Sequence, residues 1–290
     1  MIRRRLGKSL AFALCFVAGG FGCRTNRPAG ERPLHDPSTD IPQDAPSGVD
    51  VATIVPGGAD RVVDLSFDVL RADLPAGAWS ASRKIWNHVD EMRMDSAVVA
   101  RMARNGFRVG AVPPGSWPAI QAVLEASGAR TYRSVMAPPR GAPLLITLGR
   151  VSDPESIFTY NAQDRLTGRT FTAGDKLIVL DYVFQPQLGS YTELQAGFEV
   201  RHDKGVMTWS REGGVIRQVP DIDLHVFKDL VVNLTLEGGE SFLIGPSQAA
   251  TNEYLIGGRY LTIDHDGEKY VSMLFITPAP YQTEGAKAQH

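Results

Sequence analysis

The sequence predicts an α+β protein in which a small α/β domain over residues 59–140 is followed by a mostly antiparallel β domain over residues 141–280. Apolar residues alternate strictly after residue 60, and two capped stretches with helical spacing lie between residues 95 and 128. From residue 144 onward apolar residues recur at period two or in short runs. The 290 residues, 43% hydrophobic and 21% charged, exclude a collagen, a coiled coil and a wholly disordered chain.

The first 22 residues are typical of a secretory signal peptide. Basic residues at positions 3–5 and 8 precede an apolar run over residues 10–17, far shorter than the roughly 20 residues that span a bilayer. Gly20-Phe21-Gly22-Cys23 resembles the lipobox of bacterial lipoproteins, in which the cysteine is acylated and becomes the new N-terminus. The resemblance implies lipidation at Cys23. Because Gly20 stands where that family usually has leucine, a plain signal peptide is the alternative.

Cysteine usage agrees with export. The chain has two cysteines, and Cys15 lies in the segment that cleavage would remove. Cys23 would then be alone, so the mature chain could form neither a disulfide nor a thiolate zinc site. Residues 23–58 are dense in Pro, Gly, Asp and Ser, which predicts a flexible, lipid-anchored tether. Residues 281–290 are expected to be a disordered tail.

The α/β half is predicted to run strand, helix, strand, helix, strand. Residues 61–70 alternate as a half-buried strand does. Asp95 can cap a helix that ends at Gly106, and residues 107–112 are apolar enough for a strand. Ser116 can cap a second helix that ends at Gly128, and a third strand follows up to residue 136.

The second half is predicted to be nearly all β. The expected strands lie at residues 144–149, 176–185, 192–201, 206–210, 222–236, 241–244, 255–263 and 270–277. Turns are expected at residues 203–205, 237–239 and 264–267, where Gly follows polar residues. No internal repeat is evident.

Charge and motif content exclude several classes of function. The chain has 30 Lys and Arg against 32 Asp and Glu, and a net charge of −2 does not predict a nucleic-acid partner. A Gly-rich phosphate loop, an HExxH helix and a GxSxG elbow are all missing from the sequence. We therefore predict no cofactor.

Asp221, Asp223 and His225 form a candidate metal site. They alternate along an expected strand and so project from one face, as ligands of a shared ion would. The alternative, which we favour, is the solvated face of a one-sided strand. The opposite face is expected to be a core stripe formed by Ile222, Leu224 and Val226.

A second polar cluster surrounds Trp86. His88 with Asp90 or Glu91 could form an acid/base pair, but no nucleophile or oxyanion site lies nearby in the sequence. A loop or short helix whose Trp86 packs on the sheet is the favoured interpretation. As exposed aromatic residues for a protein partner we nominate Trp86 and Tyr254, together with the loop at residues 245–252.

Two stretches of the β half resemble the end of secretins, the outer-membrane channels of type II and III secretion and of type IV pili. They are VVNLTLEGGESFLIG at residues 231–245 and VSMLFITP at residues 271–278. The apolar gate segment that this family has between them is replaced here by residues 246–254. The α/β half also looks like the ring-building domains that precede secretin barrels. Residues 65–69, 86–91 and 105–110 are similar to uncharacterised bacterial lipoproteins, a likeness that implies no activity.

These observations predict a non-enzymatic lipoprotein that acts as a structural or protein-interaction module of the bacterial envelope. Its lipid would hold it in the outer or inner membrane, facing the periplasm. Its partners would be the membrane and an envelope protein, and homo-oligomerisation stays open. The alternative is an exported enzyme or metal-dependent binding protein that uses Asp221, Asp223 and His225, or His88 and Asp90.

Overall fold

A computed structural model of the protein describes residues 61–185, 191–212 and 214–284. They belong to one compact unit. The predicted signal peptide, Cys23 and the tether lie outside the described residues. The last strand continues to Glu284, into the tail expected over residues 281–290.

Thirteen strands and four α-helices make up the described chain. The strands are β1 (Arg61–Pro75), β2 (Phe107–Val112), β3 (Arg130–Met136), β4 (Leu144–Val151), β5 (Glu155–Tyr160), β6 (Leu166–Phe171), β7 (Gly174–Gln185), β8 (Tyr191–Glu212), β9 (Val215–Val226), β10 (Val232–Leu236), β11 (Ser241–Pro246), β12 (Thr262–His265) and β13 (Glu268–Glu284). The helices are α1 (Trp79–Trp86), α2 (Ser96–Arg104), α3 (Trp117–Ala126) and α4 (Ile256–Leu261).

The strands form two large antiparallel sheets and a separate hairpin. The six-stranded sheet has the order β2-β11-β13-β1-β3, with β12 also on β13. The five-stranded sheet has the order β10-β8-β7-β4, with β9 also on β8. Strands β5 and β6 form a two-stranded sheet of their own, and Phe158 of β5 also makes an isolated parallel bridge to Leu255. The structure confirms a β-rich, mostly antiparallel fold.

The main core lies between the two large sheets. Phe107 of the six-stranded sheet stacks on Phe198 of the five-stranded sheet, with ring centroids 4.3 Å apart. Phe67 meets Tyr182 edge-on at 4.9 Å. A second core lies where α1 and α3 cover the other face of the six-stranded sheet. It contains Ile85, Trp86, Ile120, Leu124, Met273 and Phe275.

The structure does not support a separate α/β domain in the first half. Strand β1 pairs with β13 from Arg61↔Glu284 to Pro75↔Tyr270, and β2 pairs with β11. Strands β1 and β2 therefore pair with strands of the second half, and β3 pairs with β1. Local periodicity predicted the individual strands, but it contains no information about such distant pairing.

Several elements are confirmed. Asp95 caps α2 by accepting from the backbone N–H of Ala97 at 2.7 Å, and Gly106 follows that helix at φ +94°. Strand β2 has the predicted bounds. The turn at residues 264–267 closes a hairpin between β12 and β13.

Other elements differ from the prediction. The strand expected at residues 255–263 is instead helix α4 followed by β12. The strand expected at residues 222–236 is divided into β9 and β10. The turn expected at residues 203–205 is a bulge inside the 22-residue strand β8.

Candidate interaction surface

The distal parts of β8 and β9 form a two-stranded ribbon, which we call the hairpin arm (residues 202–225). Pairing between β7 and β8 ends at Asp175↔Arg201. Beyond that point β8 pairs with β9 alone among the described residues, up to Glu212↔Val215. At about 3.3 Å per residue the arm extends roughly 30 Å from the sheet. The outer backbone edges of both its strands are unpaired by any described strand.

A bulge lies part-way along the arm. Residues 203–207 of β8 face only residues 220–222 of β9. Gly205 takes φ +69° and its N–H donates to Asp203 Oδ1 at 2.8 Å. Lys204 Nζ donates to both carboxylate oxygens of Asp221 at 3.1 Å. Ile222 and Pro220, which lie opposite Asp203 and Met207, are two residues apart on β9, so Asp203 and Met207 stay on the same face.

One face of the arm is apolar and exposed. Residues directly opposite one another in an antiparallel pair share a face, so the register assigns each side chain. The large apolar side chains of this face are Met207, Trp209, Ile216, Ile222 and Leu224 of the arm and Val226 at its base, with Gln218 and Pro220 between them. The exposed fractions of these apolar side chains run from 36% for Val226 to 68% for Trp209. We call this surface the apolar face.

The core stripe expected at Ile222, Leu224 and Val226 is therefore wrong. At the base of the arm, Phe198 and Val200 point into the main core, and the apolar face continues the opposite, outer side of the sheet. No described element covers that side of the arm. Strand periodicity predicts which residues share a face, but whether that face is buried depends on the elements that pack against it.

The outer side of the sheet beside the arm is polar. Asp181, Gln195 and Asn233 lie in one row across β7, β8 and β10, and Gln195 Nε2 donates to Asn233 Oδ1 at 2.9 Å. They line an open cleft of about 880 Å³. Tyr182 also borders the cleft, and its burial raises the pKa of its phenol. The change from polar to apolar thus begins where the arm leaves the sheet.

The candidate metal residues share the other face of the arm, as their spacing predicted. Asp221 is paired with Lys204, and Asp223 is exposed. His225 Nδ1 lies 2.9 Å from Arg169 Nη1, and its ring lies against Phe171 and Phe227. Burial, followed by the nearby Arg169 charge, lowers the pKa of His225. Within the described chain no three His, Cys, Asp or Glu side chains are placed to hold a metal ion.

His88 and Asp90 are engaged separately. Asp90 Oδ1 accepts from the backbone N–H of Met92 at 3.0 Å, and Oδ2 lies 3.4 Å from Arg93 Nε. The backbone N–H of His88 donates to the carbonyl of Ile85 at 3.0 Å. No hydrogen bond joins the two side chains in the described structure.

The two nominated aromatic residues differ in exposure. Trp86 is only 4% exposed, because α1 turns it into the second core, and Arg108 lies 4.3 Å above its ring. Trp86 thus packs on the sheet, as the favoured interpretation has it, and cannot be the exposed contact for which it was nominated. Tyr254 is 52% exposed, with the Arg259 guanidinium 5.4 Å from its ring centroid.

The nominated loop at residues 245–252 is largely structural. Gly245, Pro246 and Ser247 are buried. Ser247 Oγ donates to the Ala103 carbonyl at 2.6 Å and accepts from the backbone N–H of Ala249. Gln248, Thr251 and Asn252 remain exposed. The loop therefore joins α2 to the sheet, and only its exposed residues are accessible to a partner.

Sequence reasoning did not find the arm. A signal for it was present: Arg211-Glu212-Gly213-Gly214-Val215 places two glycines between strand-like segments, the pattern of a two-residue hairpin turn. Gly214 takes φ +85°, which glycine adopts readily. The prediction of a turn at residues 203–205 instead divides this segment too early.

No family model and no curated protein matches the chain. A solved structure described as the InvG secretin domain β-barrel from the Salmonella SPI-1 injectisome NC-base is similar at 14% identity, with a TM-score of 0.21. The match covers 80% of this chain and 65% of that chain. Among the described helices, none has the length and apolar character needed to cross a membrane.

Proposed function

We propose that the protein is a non-enzymatic, exported lipoprotein that serves as a structural or protein-interaction module of the bacterial envelope. Its anchor would be a lipid on Cys23, in the outer or inner membrane with the domain facing the periplasm. The observation that carries the proposal is the apolar face of the hairpin arm, where six large apolar side chains are between 36% and 68% exposed. A contiguous exposed apolar surface of this kind marks an interaction site.

The composition and position of the apolar face suit a protein partner. Trp209 and Met207 are residue types enriched in protein interfaces, and both are more than half exposed. A reach of about 30 Å lets the arm meet a partner away from the main core. The unpaired edges of the arm could add strand pairing to that contact.

The secretin-like sequence pattern supports the envelope assignment. Its first stretch, residues 231–245, forms β10, a turn and β11, and its second, residues 271–278, lies within β13. Strands thus occupy the positions at which that pattern predicts them. The relation to secretins remains part of the proposal.

The anchor is tested by expressing the full chain and a Cys23→Ala variant, both with the signal segment, in a Gram-negative host. Detergent phase partitioning should place the unaltered chain in the detergent phase and the variant in the aqueous phase. Aqueous partitioning of both would remove the lipid anchor from the proposal.

The interaction role is tested by site-specific photocross-linking in living cells. A photoreactive residue replaces Trp209 on the apolar face or, as the matched control, Thr208 on the opposite face one residue away. Both side chains are exposed, so only partner contact should distinguish them. We expect protein adducts from position 209 and few from position 208. Equal yields, or none from either, would contradict an interaction through the apolar face.

A further inference from the structure

The apolar face carries two opposite charges. Asp203 lies opposite Ile222, and Arg211 lies opposite Ile216, so both belong to the apolar face by register. Both side chains are exposed, and neither forms an ion pair with a described residue. On the same side of β8, at the base of the arm, Arg201 and Glu199 pair with each other. Among the described residues of this face, Asp203 and Arg211 are therefore the charges left for a partner to neutralise.

The spacing of these charges is self-complementary. Along β8 the apolar face presents, in order, Asp203, Met207, Trp209 and Arg211, and β9 presents Ile222 and Ile216 at the two ends. Two arms can be stacked about a two-fold axis that lies in the plane between their apolar faces and runs across the strands. When this axis passes midway between Met207 and Trp209, the order of residues along β8 is reversed in the second copy. The axis then places Asp203 opposite Arg211 of the second copy, and Met207 opposite that copy's Trp209.

The same axis places β9 over β9, so that Ile222 meets Ile216 of the second copy. Every contact then occurs twice, as in an isologous interface. Sheets that pack face to face lie about 10 Å apart, a distance that long side chains such as Arg211 and Trp209 can span. A parallel arrangement of the two arms would bring neither charge opposite its complement.

We propose that the apolar face binds a second copy of this chain, with the two arms stacked face to face and antiparallel. This inference rests on the proposed function, because it names the partner of the same surface. The charges favour a second copy over a lipid surface, since immersion in a membrane would desolvate the unpaired Asp203 carboxylate.

Charge reversal tests the inference. The full chain carrying Cys23→Ala, so that no acyl chain contributes, is examined by size-exclusion light scattering over a concentration series. Asp203→Arg and Arg211→Asp each place like charges opposite one another twice, and each should weaken dimerisation about tenfold or more. The double variant Asp203→Arg/Arg211→Asp restores both pairs with reversed sign and should recover the dimer. Asp223→Arg, the same change on the opposite face, should leave dimerisation unaltered.

Each outcome decides the inference. Loss in both single variants with recovery in the double variant supports the antiparallel stack. A monomer at every concentration, a dimer insensitive to both reversals, or no recovery in the double variant overturns it. Binding of a monomeric chain to anionic vesicles through the arm would overturn it too. If the purified chain is a monomer but position 209 still cross-links to another protein in cells, this inference fails while the proposed function stands.

Discussion

At Gly257 the backbone of α4 passes directly against Gly106, at the end of α2. A Cβ added at Gly257 would lie 2.4 Å from the carbonyl carbon of Gly106, and the N–H of Gly257 donates to the Asn105 carbonyl at 2.9 Å. The Asn105 side chain accepts from the N–H of Tyr160 at 2.7 Å and donates to the Tyr160 carbonyl at 3.0 Å. These contacts join α2, α4 and β5 through backbone atoms and the Asn105 side chain.

Gly257→Ala should therefore destabilise the protein. The added methyl group meets backbone, which cannot rotate away, so we expect the free energy of unfolding to fall by about 2 kcal/mol or more. Gly197→Ala is the matched control, because a Cβ there meets nothing within 4 Å. Its effect should stay within about 0.5 kcal/mol. Denaturant titration measures the free energy of unfolding of both variants. Equal values would show that the backbones at Gly257 and Gly106 can move apart at little cost.

His225 should make stability depend on pH. Burial and Arg169 lower its pKa below the ordinary value of about 6.5. Between the folded pKa and about pH 6.5 the unfolded chain binds more protons than the folded chain. The contribution of His225 to stability is therefore complete above about pH 6.5 and is lost as the pH falls through the folded pKa. His225→Gln should flatten this part of the profile of unfolding free energy against pH. An unchanged slope in the variant would assign the dependence to other groups.

At the scale of elements, the hairpin arm should be dispensable for folding. Its residues beyond Arg201 pair only with each other among the described strands, and its apolar side chains are exposed. Because Asp203 and Ile222 are opposite, a two-residue Asn-Gly turn can join them in place of residues 204–221. The free energy of unfolding should change by about 1 kcal/mol or less. A collapse of stability in urea titration would show that the arm supports the core.

The elements show where sequence reasoning succeeds and where it stops. Asp95 and Gly106 marked the ends of α2 because caps act through nearby backbone groups. Helix α4 was predicted as a strand because residues 255–263 are largely apolar. Its two glycines fit close against other backbone, Gly257 against Gly106 and Gly258 against Asn252. Such tertiary contacts override local propensity and are invisible in a single sequence.

The candidate site shows the same limit. Alternation correctly assigned Ile222 and Leu224 to one face of a strand and Asp221 and Asp223 to the other. It could not tell that the apolar side is uncovered, since that depends on where β7 stops pairing with β8. The exposed apolar face therefore could not be predicted from the sequence.

At the scale of the whole molecule, the two halves of the chain share one sheet. Strand β1 pairs with β13 along its full length, and β2 pairs with β11. Both cores also combine residues from before and after residue 140. The chain should accordingly fold as one unit.

A fragment of residues 59–140 should not fold alone. It would retain β1, β2 and β3 but lose β11 and β13, which stand between β2 and β1 in the sheet. Far-ultraviolet circular dichroism should show a largely unfolded fragment, whereas the full chain should unfold in a single cooperative transition. A fragment with native strand content and its own sharp thermal transition would restore the independent domain that the sequence predicted.

The central claim is that the apolar face is covered in the envelope. Hydroxyl-radical footprinting with mass spectrometry tests it directly, because Met207 and Trp209 both react readily when exposed. Met92, which is 89% exposed and lies outside the arm, serves as the internal reference. Relative to Met92, Met207 and Trp209 should be protected in intact envelopes and reactive in the purified, dilute chain. Equal reactivity of the arm in both states would contradict the claim.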